Sequence, residues 1–218
     1  MSTPSSASAR APIAIFDFDG TLADSLELVI TEYNRIAPRF RTRLIDREQL
    51  PRLRKLKAGP AMKEHNVSFW KLPLLVSSMR SAMHAHVDGL KAYDGIAPAL
   101  RTLHEAGCRC SILSTNSNQN IARFLARHDL RLFEHIAGGA SMFGKARALK
   151  RLIARAQFDV RQVVYIGDEA RDVEAAAKAG VRSIAVSWGY ADRGVLAAHS
   201  PTHMADRPDD LVRLLSPG

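Results

Sequence analysis

Residues 12–25 read Pro-Ile-Ala-Ile-Phe-Asp-Phe-Asp-Gly-Thr-Leu-Ala-Asp-Ser. The stretch opens as an uncharged apolar run, Pro12 to Phe16, and stops at an aspartate, the length and ending of a buried strand rather than a helix. Asp17 and Asp19 stand two residues apart where that strand ends, so their side chains point to the same side of the chain. Two like charges so placed repel unless a cation or a shared proton relieves them. A hard divalent ion such as Mg²⁺ does this with oxygen ligands and takes only one or two carboxylates from the protein. Gly20 lets the backbone turn sharply, and Asp24 is placed to cap the next helix, with Glu27 three residues on.

The same design recurs outward from this stretch. Apolar runs at Cys108 to Leu113, Gln162 to Ile166 and Arg182 to Val186 read as further strands, with a shorter one at His135 to Ala137. Helical periodicity fills the intervals at Ile96 to Glu105, Asn120 to His128, Lys145 to Ala156 and Ala170 to Ala179, with Gly107 and Gly180 as stops after the first and last. Strands alternating with helices of about ten residues imply βαβ units and a parallel sheet with helices on both faces. Such sheets carry their chemistry at the carboxyl ends of the strands, where Asp17, Thr115 and Asp168 fall.

Residues from about Glu27 to Leu90 break the alternation. No strand pattern stands out there, and helical text is interrupted at Pro38, Pro51, Gly59, Pro60 and Pro73, so the segment reads as an α-helical insertion after the first strand. The expected organisation is a polar tail over 1–11, an α/β Rossmann-like core over 12–26 and 91–218, and a small α-helical cap over 27–90. Between Pro38 and His65 there are nine basic residues against three acidic ones, a surplus of six out of the chain's net +9. That excess asks for an anion, and nucleic acid, a membrane surface and a small phosphorylated substrate are the classes it admits.

With 218 residues, 46% apolar and 24% charged, the chain has the composition of one large globular domain and not of a disordered one. Its two cysteines, Cys108 and Cys110, have no metal-ligand spacing and read as strand core residues, which suits a reducing cytoplasm. The first ten residues lack an apolar secretory region, and nowhere do about 18 apolar residues run together, so no membrane span is expected. His84 and His86 are two apart in a helical stretch and do not share a face, which argues against a two-histidine metal site. No Gly-rich nucleotide loop is present, and Trp70 and Trp188 read as packing residues. Oligomeric state leaves no mark in the sequence.

The run DFDGTLADS at 17–25 resembles the first motif of the haloacid dehalogenase-like hydrolases, in the phosphatase branch with the D-x-D-G-T pattern. Three further motifs follow in that family's order: Ser-Thr-Asn at 114–116, Lys145 opening a helix, and Gly-Asp-Glu-Ala-Arg-Asp at 167–172. The resemblance spans Pro12 to Leu215 and is similar to the phosphoglycolate phosphatases within that family. It implies a Mg²⁺-dependent phosphatase acting on a small phosphomonoester through an aspartyl-phosphate. Asp17 would be the nucleophile and Asp19 the general acid and base, its backbone carbonyl on the metal. A metal-bound Asp17 stays ionised, whereas Asp19, off the metal through its side chain and close to another carboxylate, can hold a proton near neutral pH.

By the same resemblance Thr115, with the amide of Asn116, would hold a phosphate oxygen, as would Gly20 and Thr21. Lys145 would neutralise the phosphoryl charge, although Ala146 departs from the family's common Lys-Pro, which leaves Arg147 and Lys150 as alternative carriers. Asp168 would join Asp17 and Asp19 on Mg²⁺, and Asp172 would orient a metal-bound water or Lys145. Glu169 reads equally as a supporting ligand or as a helix N-terminal charge. Arg54 and Lys57 are the expected substrate contacts of the cap. A phosphomutase of the β-phosphoglucomutase type fits the same motifs. A nucleic-acid-binding protein on an inactive core is not expected, because the catalytic positions are filled and the basic stretch lacks interleaved aromatics.

Overall fold

The computed structural model describes residues 12–56 and 58–216, so the tail expected over 1–11 and the candidate contact Lys57 lie outside the described residues. Among the described residues, eight strands and ten α-helices follow in order: β1 Ile13–Phe16, β2 Ala23–Asp24, α1 Leu26–Phe40, α2 Leu50–Leu53, α3 Ala58–Glu64, α4 Leu72–His84, β3 Lys91–Ala92, α5 Ile96–Glu105 and β4 Arg109–Leu113. The chain continues through α6 Asn118–Arg127, β5 Phe133–Ala137, α7 Lys145–Arg155, β6 Val163–Gly167, α8 Ala170–Ala179, β7 Arg182–Val186, α9 Arg193–Ala197, β8 His203–Ala205 and α10 Pro208–Leu215.

Six strands form one parallel sheet in the order β5-β4-β1-β6-β7-β8. β1 lies inside it with Phe16 level with Ile112 of β4 and Ile166 of β6. All four residues of β1 are buried, because alternate side chains feed two separate cores. Ala14 and Phe16 join Leu100, Phe124 and Leu211 on one face, whereas Ile13 and Ile15 join Leu149, Leu152 and Ala176 on the other. The chain builds outward from β1 through β4 and β5, then crosses to β6, β7 and β8 on the opposite side. That reversal leaves a crevice at the carboxyl end of β1, the usual place for a ligand in an open α/β sheet.

Between Asp24 and Lys91 the chain leaves the sheet, and β2 pairs antiparallel with β3 at the point of departure and return. Helix α1 buries Ile30, Tyr33, Ile36 and Ala37, spaced as one helical face. With Val67, Leu72 and Leu75 that face forms a core of its own, which Met62, Met79 and Met142 extend.

Of the expected interruptions, Pro51, Gly59, Pro60 and Pro73 fall where new helices begin, and Pro38 does not break its helix. Pro51 and Pro73 are the second residues of α2 and α4, and Pro60 falls in the first turn of α3, where no backbone N–H is needed. α1 continues through Pro38 to Phe40 and ends where Arg41 turns left-handed at φ 51°. Asp24 does not cap α1: it is exposed in β2, and Ser25 takes the cap position. Trp70 is 88% exposed, against the packing expected of it, and meets Phe69 edge to face. Trp188 does pack on the core and donates its indole N–H to the carbonyl of Thr21 at 3.1 Å. Among the described residues, no helix is long and apolar enough to cross a membrane.

Candidate active site

The site grows from the end of β1. Asp17 N–H donates to the carbonyl of Ile166 at 2.8 Å, one rung beyond the strand, which fixes the carboxylate at the sheet edge. Asp17 Oδ1 accepts from the amide of Phe18 at 2.8 Å and Oδ2 from Lys145 Nζ at 2.5 Å. The chain then folds over itself, with the carbonyl of Phe18 accepting from the amides of Thr21, Leu22 and Ala23. Gly20 makes this possible at φ +77°, and a Cβ there would stand 2.1 Å from Asp168 Oδ2.

Lys145 opens α7 and is 2% exposed. Its ammonium lies between Asp17 and Asp172, donating to both. Burial alone would drive the proton off, but the charges of Asp17 and Asp172 outweigh it and hold Lys145 charged well above its ordinary range. Asp172 reaches back from α8, its Oδ2 accepting from the amide of Glu169 at 3.0 Å. Carboxylate oxygens of Asp17, Glu169 and Asp172 thus come within 4.8 Å of one another.

Asp19 is held by Asn116, whose Nδ2 donates to Asp19 Oδ2 at 3.0 Å. Asn116 is itself fixed, its Oδ1 accepting from the amide of Ser117 and from Asn120 Nδ2. Ser117 caps α6 by accepting from the amide of Asn120. Asp19 Oδ1 is buried without a partner. Burial first, and the charge of Asp17 second, push the Asp19 carboxyl up to about 6.

Asp168, at the end of β6, is turned away from this group. Its Oδ1 accepts from the Thr21 hydroxyl at 2.9 Å and its Oδ2 from the amide of Tyr190 at 2.7 Å. Burial, then the charge of Glu169, holds its carboxyl well above the usual range. Of the expected metal carboxylates, the structure therefore gathers Asp17 with Glu169 and Asp172, and gives Asp168 to Thr21 and Tyr190. The clustered oxygens of Asp17, Glu169 and Asp172 form an all-oxygen donor set, so the residues present fit a hard divalent cation.

A cavity of about 430 Å³ opens from these groups into the helical segment. Asp19, Thr115, Asn116 and Glu169 line its sheet end, and apolar side chains such as Leu53, Leu75 and Met79 line the rest. Two arginines bridge the sides. Arg54, expected as a substrate contact, lines the cavity but donates through Nε to the carbonyl of Tyr190 at 3.0 Å and through Nη2 to that of Gly189 at 2.8 Å. Arg80 of α4 donates through Nε to the carbonyl of Thr115 and through Nη2 to that of Ala140 at 3.1 Å. The other described basic residues between 38 and 65 are exposed, so their charge is a surface field and not part of the cavity wall.

Sequence alone did not mark Gly189, Tyr190, Arg80 or Arg171. For Gly189 and Tyr190 a signal existed: they follow β7, whose carboxyl end faces the same crevice as β1 and β6. A Cβ on Gly189 would meet that of Asp168 at 2.2 Å, and the Tyr190 hydroxyl stands 2.6 Å from Ser25 Oγ. Arg80 carries no such signal, since its partners are backbone carbonyls.

A family model described as haloacid dehalogenase-like hydrolase matches residues 14–186. The chain is 37% identical over 203 residues to a phosphoglycolate phosphatase of Synechococcus elongatus, across 93% of this chain and 96% of that protein. It is 27% identical over 221 residues to the pyrophosphatase PpaX of Bacillus cereus, across 95% of this chain and 97% of that one. In three dimensions it is similar to a predicted phosphatase from Clostridium acetobutylicum, with a TM-score of 0.79 at 22% identity over 94% of this chain and 97% of that one.

Proposed function

This chain belongs to the haloacid dehalogenase-like hydrolase family and is a phosphatase resembling phosphoglycolate phosphatase, and from that premise we propose that it hydrolyses a small phosphomonoester through a phosphoaspartate formed on Asp17. The observation that supports this reading is the placement of Asp17 at the carboxyl end of β1, with one oxygen on Lys145 and the cavity beyond it.

An oxygen of Asp17 attacks phosphorus as the bond to the leaving alkoxide breaks, and Asp19 gives that oxygen its proton. The unprotonated Asp19 then takes a proton from water, whose oxygen displaces Asp17 and releases inorganic phosphate. A carboxyl raised to about 6 suits both directions of this transfer near neutral pH. Asn116 keeps Asp19 pointed at the leaving oxygen, Thr115 and the amides of the Gly20–Thr21 turn hold phosphoryl oxygens, and Lys145 balances the charge at Asp17.

Mg²⁺ would be held by Asp17, the Asp19 carbonyl and Asp168, with Glu169 supporting, and Asp172 would keep Lys145 in place. The ion supplies charge stabilisation at the phosphoryl oxygens when bound. Asp168 would exchange Thr21 or Tyr190 for it. The helical segment acts as a cap, excluding water and selecting the leaving group, and a cytoplasmic site of action suits the two buried cysteines.

Purified protein is expected to release phosphate from p-nitrophenyl phosphate with Mg²⁺ and to stop in EDTA. Asp17→Asn is expected to lower turnover by about 10⁴-fold with an unchanged circular dichroism spectrum. Metal-independent turnover, or near-normal activity in that variant, would overturn the reading.

A further inference from the structure

Four cations border or close the site, and three of them are committed. Lys145 lies between Asp17 and Asp172, Arg54 donates to the carbonyls of Gly189 and Tyr190, and Arg80 donates to those of Thr115 and Ala140. Arg171, in the first turn of α8, differs. Its Nε and Nη2 both donate to the same oxygen of Glu169, and its Nη1 is buried without a partner. Among the described residues it holds the one buried side-chain nitrogen so left, and Arg171 lines the cavity.

A buried guanidinium N–H with no acceptor is costly, and the planar fork of arginine matches a carboxylate or a phosphate. Asp19 Oδ1 is a buried orphan in the same cavity, an acceptor where Arg171 offers a donor. A ligand with a leaving oxygen close to a second anionic group completes both. The transferring phosphoryl group belongs at Asp17, where Lys145 already balances its charge.

Building on the phosphatase reading, we propose that Arg171 receives a second anionic group, a carboxylate or a phosphate, on the leaving part of the substrate. It is a specificity residue contributed by the core, where the sequence pointed to the cap.

The test compares kcat/KM of the wild type, Arg171→Gln and Arg171→Lys on ethyl phosphate, which leaves a neutral alcohol, on 2-phosphoglycolate, which adds a carboxylate, and on inorganic pyrophosphate, which adds a phosphate. The wild type is expected to favour at least one anionic substrate over ethyl phosphate, and which one identifies the group. Arg171→Gln is expected to lower kcat/KM on that substrate by about 10- to 100-fold, mainly through KM, with ethyl phosphate changed by less than about 3-fold. Arg171→Lys, which keeps the charge without the fork, is expected to recover part of the loss. Equal losses on all three substrates would assign Arg171 to holding Glu169 and overturn the proposal, as would a wild type with no preference for either anion. A wild type that hydrolyses none of the three, nor p-nitrophenyl phosphate, would instead remove the phosphatase reading beneath it.

Discussion

The carboxyl ends of β1 and β6 and the helices between residues 26 and 84 meet across one cavity but are built on opposite terms. At the strand ends the side chains are polar and buried, and each is pinned by a neighbour: Asp17 by Lys145, Asp19 by Asn116, Asp168 by Thr21 and Tyr190. In the helical segment the interior is apolar, the charges are mostly outside, and attachment to the core includes the short β2–β3 pairing, arginines that reach backbone carbonyls, and His84 with Asn120. The first arrangement gives each carboxylate a named donor. The second holds an apolar surface against the core through few polar contacts.

Removing the charge at the centre of the rigid side strikes the comparison hardest. Lys145→Met removes the ion pair that Asp17 and Asp172 each make with its ammonium, and breaking a buried pair costs about 3–5 kcal/mol. Denaturant titration is expected to show a loss of that size together with lost turnover; a midpoint within error of the wild type would show that water already screens the pair.

A matched pair of glycine substitutions probes the same contrast more gently. Gly20→Ala forces a side chain into a left-handed turn already filled by Asp168 and is expected to cost about 2–3 kcal/mol and most of the activity. Gly59→Ala, in α3 with nothing within 4 Å of the new methyl, is expected to leave stability unchanged or raise it by up to about 1 kcal/mol. Thermal melts of the two variants side by side decide it, and equal effects would abolish the distinction between the regions.

The smallest expected effect lies at the bridge. Arg80→Ala removes two hydrogen bonds to core carbonyls, about 1 kcal/mol of net attachment, and is expected to raise KM about 5-fold and to speed proteolysis within residues 26–90. Unchanged KM and cleavage rate would mean that apolar contact alone seats the helices.

The unequal legibility of the two regions has the same origin. β1, β4, β6 and β7 announce themselves because a strand buried on both faces must be apolar until it reaches the sheet edge, and the polar residue that follows marks the site. Asp17, Thr115 and Asp168 were visible for that reason. The ribbon of Ala23–Asp24 and Lys91–Ala92 is two residues long on each side and exists only through a pairing across the whole helical segment, so no local pattern betrays it. Three-residue β8 is equally short for a period to show. Pro38 misled, since it lies in the last turn of α1, whereas Pro51, Pro60 and Pro73 mark helix starts. Arg54 read as a substrate contact because sequence shows a positive charge but not the carbonyls of Gly189 and Tyr190 that it meets. The turn of Asp168 toward Thr21 and Tyr190 was hidden likewise, since half of that contact is a main-chain amide.

The β2–β3 pairing carries a consequence for how such a chain can change over generations. Ala23 lies beside Ala92 and Asp24 beside Lys91, so everything between them leaves and re-enters the sheet through a single doorway. A longer, shorter or unrelated insert could be spliced there while every strand register of the core stayed as it is. The doorway makes the helical segment exchangeable as one piece, and the sheet with its strand-end carboxylates heritable without it.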